Sequence, residues 1–77
     1  MKLEIISPDG LLFEGEAEEV SFPGISGSFD VLPYHAPLIA ALGTGVIRFR
    51  SGKEVKQKTI QSGFVEVKQN SISVCIE

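Results

Sequence analysis

A single histidine, a single cysteine and a knot of glutamates are the side chains here with chemistry to offer, and their spacing decides what kind. Histidine as a residue type titrates near neutrality, the usual property of a general base, and His35 is the one histidine. It stands between Pro33 and Pro37, with Ser28 and Asp30 nearby in sequence but with no arrangement that makes a nucleophile, base and orienting acid. A packing or hydrogen-bonding role is the simpler reading. Glu14, Glu16, Glu18 and Glu19 form the densest charge cluster, and on a strand Glu14 and Glu16 would share one face about 7 Å apart. That separation resembles an acid/base pair, but a glycosidase also needs a deep sugar cleft that a chain this short is hard put to build. A solvated, self-repelling sheet edge accounts for the cluster better.

Cys75 falls out of phase with Ile72, Val74 and Ile76, so it is expected to point away from the face they bury. No cationic neighbour is visible in sequence to activate its thiol. One Cys and one His cannot supply a zinc site, so no metal is expected. Gly24-Ile25-Ser26-Gly27 lacks the Lys-Ser/Thr ending and the following helix of a phosphate loop, and Gly43-Thr44-Gly45 lacks the third glycine of a dinucleotide fingerprint, having Arg48 there. These glycines read as turn residues, and no cofactor is expected.

The elements that carry these residues are strands. Apolar positions recur with period two, and turn formers interrupt them every five to ten residues. Lys2 to Ser7 is followed by the turn Ser7-Pro8-Asp9-Gly10. Leu11, Phe13, Gly15 and Ala17 are expected to face a core, with Leu12, Glu14 and Glu16 toward water. Val20 and Phe22 share the inner side of a strand from Glu18 that Pro23-Gly24 is expected to stop. Ser28 to Leu32 is short and extended, and Pro33 to Pro37 is a stiff connection. Leu38 to Leu42 is apolar throughout, and reads as a strand covered on both faces rather than a helical fragment. Val46 to Arg50, Val55 to Gln61, Phe64 to Lys68 and Ser71 to Ile76 complete the series. With no helix to cover a sheet, an all-β sandwich of two sheets or a flattened barrel buries both apolar faces most economically. Most of the five phenylalanines fall on faces expected to be core.

Composition sets the outer bounds. A hydrophobic fraction of 43% and a charged fraction of 22% are those of an ordinary folded domain, and 77 residues allow one core. The formal net charge of -3, with signs mixed, offers no basic stripe for nucleic acid. The opening Met1-Lys2-Leu3-Glu4 lacks a signal peptide's layout, and one cysteine suits a reducing compartment, so a cytosolic protein is expected. From the residues alone the default is a binding or structural role. A small ligand- or carbohydrate-binding β-sandwich and a small hydrolase built on His35 are the alternatives. The absence of Trp argues against the first and the missing nucleophile against the second.

One stretch is more specific: Phe22-Pro23-Gly24-Ile25-Ser26-Gly27-Ser28-Phe29-Asp30-Val31-Leu32-Pro33-Tyr34-His35-Ala36-Pro37-Leu38. It resembles the ε subunit of F-type ATP synthases (δ in mitochondria), whose signature is a Pro-Gly loop, a Gly-Glu loop and then Leu-Pro-Gly-His-Ala-Pro-Leu. Ile6-Ser7-Pro8-Asp9-Gly10, Leu42-Gly43-Thr44-Gly45-Val46-Ile47 and Gly63-Phe64-Val65-Glu66-Val67 with Asn70 match further family segments in the same order. The resemblance implies a sandwich of about ten short strands, forming a single domain over 1–77. It also implies a non-catalytic part of the rotating central stalk, docked on the γ subunit and the c-ring at the cytoplasmic face of the bacterial inner membrane. By position it assigns partner contacts to Ser28, Asp30, Tyr34, His35, Ala36, Pro37 and Leu38. Ser28 stands where many relatives have Glu, with Asp30 as a possible substitute. Tyr34 stands where the family has Gly, so its backbone is expected to avoid positive φ or else be strained. The family commonly continues into two C-terminal helices that carry an inhibitory arm and, in some bacteria, an ATP site. Nothing helical is found through Glu77, so neither activity is expected here.

Overall fold

The computed structural model describes residues 1–77 as nine strands and no helix: β1 Lys2–Ser7, β2 Gly10–Glu16, β3 Glu19–Gly24, β4 Gly27–Val31, β5 Leu38–Leu42, β6 Gly45–Ser51, β7 Glu54–Ile60, β8 Gly63–Lys68 and β9 Ser71–Ile76. The strands join in the order β2-β1-β9-β8-β5-β3-β6-β7, with β4 paired to β3 off that path. The expected two layers are therefore one curled sheet folded onto itself. The layers are linked by a thin seam, since β5 and β3 pair only at Gly24 and Leu42. Every pairing is antiparallel except β1 with β9.

The inner face is made by alternation. Leu3 and Ile5 of β1, Val20 and Phe22 of β3, Ile47 and Phe49 of β6, Val65 and Val67 of β8, and Ile72, Val74 and Ile76 of β9 are all buried. No polar or charged side chain is buried with them, so the fold rests on apolar burial with a satisfied backbone ladder.

Three local features depart from simple alternation. Ile5 pairs with Phe13 but Ile6 pairs with Leu11, so Leu12 is an extra residue bulged out of the ladder. The bulge resets the phase of β2: Phe13 stays against the core, while Leu11, expected inside, is 56% exposed. Pro23 does not stop β3, which continues through Pro23 opposite Ser28 and Gly24 opposite Gly27. The outer side of the strand there takes no ladder bond from Pro23; instead its carbonyl accepts from the Gly43 N–H at 2.8 Å. Finally, β5 is covered on one face only, leaving Ile39 73% exposed.

Turn chemistry follows the sequence. Gln69 and Asn70 both take positive φ (51° and 59°), the signature of a type I′ turn, which matches the twist of the β8–β9 hairpin. Gly52 (φ 65°) does the same service between β6 and β7, where its N–H is held by the Glu18 carboxylate at 2.9 and 3.2 Å.

Candidate functional site

The Pro33–Pro37 connection is a built turn. Leu32 C=O accepts from the His35 N–H at 3.2 Å, Pro33 occupies the second position, and Tyr34 in the third has φ 64°. Proline second, positive φ third and an i to i+3 hydrogen bond define a type II turn, whose third position ordinarily takes glycine. Tyr34 thus adopts the strained alternative, not the relaxed one, at a cost of roughly 1–2 kcal/mol for a side chain in the left-handed region. Its ring is 86% exposed, and its N–H donates to Asn70 Oδ1 at 3.0 Å. His35 is half-buried, with Nδ1 2.7 Å from the Ala36 carbonyl oxygen. Ala36 and Pro37 are exposed, and Leu38 packs partly against the core at the start of β5.

The seven expected contact residues divide between two faces. His35 and Leu38 line a groove with Phe29, Ile25 and Ile39. Ser28 and Asp30 alternate with Phe29, whose ring lies against Phe22 (centroids 5.4 Å apart), so they point the other way. There Asp30 Oδ1 accepts from the Ser21 hydroxyl at 2.6 Å, and Ser21 is paired in turn with Arg48 of β6. Glu14 and Glu16 lie on β2, which has a neighbour on one side only, as expected of a solvated edge, whereas Glu18 sits in the connection with its carboxylate on the Gly52 N–H and Glu19 opens the interior strand β3 opposite Arg50. Glu14 meets Lys2 Nζ at 3.7 Å and Glu16 meets the N-terminal ammonium at 3.4 Å. No three His, Cys, Asp or Glu side chains converge.

A second surface escaped the sequence reading. On the outer face of β2-β1-β9-β8-β5, the register lines up Leu11, Ile6, Cys75, Phe64 and Ala41 side by side, and the Ile25 N–H bonds to the Ala41 carbonyl at the end of the row. At about 4.8 Å between strands this apolar row is roughly 20 Å long. Phe64 is 53% exposed and Ile25 69%, and both line a shallow groove of about 530 Å³ with Ile6 and Cys75. The neighbouring row reads Glu14, Glu4, Ser73, Glu66 and Ile39. Phe64 is thus the exception among the phenylalanines. Its alternation with Val65 and Val67 already placed it on the opposite face from the core; what sequence could not show was that four other strands bring apolar residues to the same level.

The chain is thus a curled all-β module that presents a stiff proline-bounded turn and an apolar row edged with carboxylates. The β-sandwich domain of the ATP synthase delta/epsilon chain matches residues 1–77, and the chain belongs to that family. It is 45% identical over 74 residues to the ATP synthase epsilon chain of Leptospira interrogans serovar copenhageni, covering 96% of this chain and 58% of that one. Against the epsilon chain of Nitratiruptor sp. the identity is 41% over 78 residues, covering 100% and 60%. The chain therefore spans somewhat over half the length of these relatives. Its fold is also that of a chain in the Tetrahymena thermophila mitochondrial ATP synthase central stalk/c-ring structure (TM-score 0.85, 15% identity, 97% of this chain and 61% of that one). A chain of the Euglena gracilis mitochondrial ATP synthase OSCP/F1/c-ring structure superposes with a TM-score of 0.89 at 19% identity, over 96% and 48%.

Proposed function

We propose that this chain is a non-catalytic coupling element of the rotor of an F-type ATP synthase, seated between the γ subunit and the c-ring on the cytoplasmic face of the membrane. Family membership supports the assembly, and the apolar row Leu11–Ile6–Cys75–Phe64–Ala41–Ile25 is the observation that carries the docking. A row of exposed hydrophobics on a sheet whose other face is already buried gains most by covering it with a partner. Carboxylates of Glu4, Glu14 and Glu66 alongside favour a γ segment whose apolar side is flanked by Lys or Arg. The turn carrying Tyr34, His35, Ala36 and Pro37 is then the contact to the polar loops of the c-ring, with Ser28 and Asp30 presenting a second, polar contact. A fully packed interior deforms little under load, which suits torque transmission.

The test is size-exclusion chromatography of the chain mixed with the γ subunit of the same genome at micromolar concentration. One-to-one co-elution is expected, lost on Phe64→Glu. Asp30→Lys and Ala36→Trp are expected to leave γ binding largely intact and to weaken capture of the γ–c-ring subcomplex in detergent. A chain that never co-elutes with γ would mean that the family likeness describes only the fold, and a search for small ligands on the exposed sheet would replace the stalk reading.

A further inference from the structure

We infer that Asn70 is the positioning residue of the docking turn: its carboxamide holds Tyr34 in the left-handed conformation that the turn requires. This rests on the reading of residues 33–37 as a partner contact. Within the turn, the closing hydrogen bond uses the Leu32 carbonyl and the His35 N–H, which leaves the Tyr34 N–H directed away from it. That N–H is taken by Asn70 Oδ1 at 3.0 Å, from a residue 36 positions further along the chain.

Asn70 is itself anchored. It occupies the second central place of the β8–β9 turn with φ 59°, a conformation that Asn tolerates better than most residues, and its carbonyl accepts from the Lys2 N–H at 3.1 Å. The acceptor is therefore mounted on a point fixed by β8, β9 and β1 together. No other hydrogen bond reaches residues 32–37 from outside the turn. A glycine in place of Tyr34 would reach positive φ unaided; a tyrosine there needs an external hold. The hold sets the direction of an exposed aromatic ring between two prolines, so the turn meets its partner already ordered and less is lost on docking.

The test compares Asn70→Gly with Asn70→Asp, because glycine keeps the freedom to adopt φ 59° while removing the acceptor, and aspartate restores it. In the isolated chain, the three-bond HN–Hα coupling and amide exchange of Tyr34 report φ and the hydrogen bond directly. Asn70→Gly is expected to accelerate Tyr34 amide exchange and to weaken capture of the detergent-solubilised γ–c-ring subcomplex by about 5- to 10-fold, the range of one lost hydrogen bond. Asn70→Asp is expected to keep both near wild type. In a Tyr34→Gly background the same Asn70→Gly change should cost less than about 2-fold. Unchanged Tyr34 coupling and exchange in Asn70→Gly would overturn the assignment, and so would an equal loss in both backgrounds. If the unsubstituted chain does not bind the subcomplex, the docking reading fails, while the coupling and exchange data still decide whether Asn70 holds the turn.

Discussion

The ring of Phe13 on β2 lies against that of Phe49 on β6, centroids 4.6 Å apart and tilted by 54°. β2 is the outermost strand at one end of the sheet and β6 the last but one at the other, so this pair closes the curl where no strand ladder does, together with the Ser51 hydroxyl, which donates to the Glu16 carbonyl at 2.7 Å. Lys56 of β7 extends over the same ring, Nζ 5.5 Å from its centroid, capping the contact from the free edge.

Phe13→Ala is expected to lower stability by about 2–3 kcal/mol, somewhat less than for a fully buried phenylalanine because Phe13 is half-buried. Urea denaturation measures it. Phe64→Ala serves as the contrast, with an expected change below about 1 kcal/mol because that ring is largely in solvent. A Phe13→Ala protein as stable as wild type would show that the curl closes without this pair.

Gly63 opens β8 where a Cβ would run into the Cys75 carbonyl oxygen and within 3.1 Å of Ile76 Cα. Both are backbone atoms of the paired strand and cannot rotate aside. Gly63→Ala is therefore expected to cost about 2 kcal/mol or more in thermal unfolding. Gly43→Ala, whose added Cβ meets nothing nearer than 3.8 Å, is expected to fall within about 0.5 kcal/mol of wild type.

The one cysteine offers a probe of the apolar row. Cys75 is part-buried between Ile6 and Phe64 in the register of the sheet, and it is free. Alkylation with a bulky maleimide should abolish co-elution with γ, and bound γ should slow the alkylation. Undiminished co-elution of the fully labelled chain would remove this row from the interface.

The Ser21–Asp30 hydrogen bond spans the β3–β4 hairpin on an exposed face. Asp30→Ala is expected to destabilise by at most about 1 kcal/mol, since water replaces the carboxylate as partner. A loss of γ–c-ring capture larger than that stability change, measured by titration on the folded variant, would mark Asp30 as a contact and not merely a brace.

Period-two alternation made most of the strands legible, because burying one face is a local property that each strand carries in its own residues. Val46 to Arg50 and Phe64 to Lys68 lie within β6 and β8 almost residue for residue. Where local signals failed, a longer-range constraint had won. The bulge at Leu12 is set by the register with β1, not by β2's own sequence, and it turned Leu11 outward. Pro23 is tolerated inside β3 because its missing N–H faces the thin seam and not a full ladder. The turn at Tyr34 was half legible: Pro33 announced its second position, but the residue that makes its third position tenable is Asn70, far away in sequence. The apolar row across β2, β1, β9, β8 and β5 could not be read at all without the strand order, because each strand contributes a single residue to it.

The parallel pairing of β1 with β9 joins the two strands of this domain that lie farthest apart in sequence, Leu3 opposite Ile72 and Ile5 opposite Val74. During translation β1 and β2 emerge as a hairpin with one side of β1 open, and that side stays open until residue 76 has cleared the ribosome. The nascent domain thus carries an unpaired, apolar strand edge until β9 emerges, the condition under which neighbouring nascent chains most easily pair with each other. The glutamates of β2 lie across β1 from that open side and guard the hairpin's other edge from the moment it forms, so their first service comes before the domain is complete.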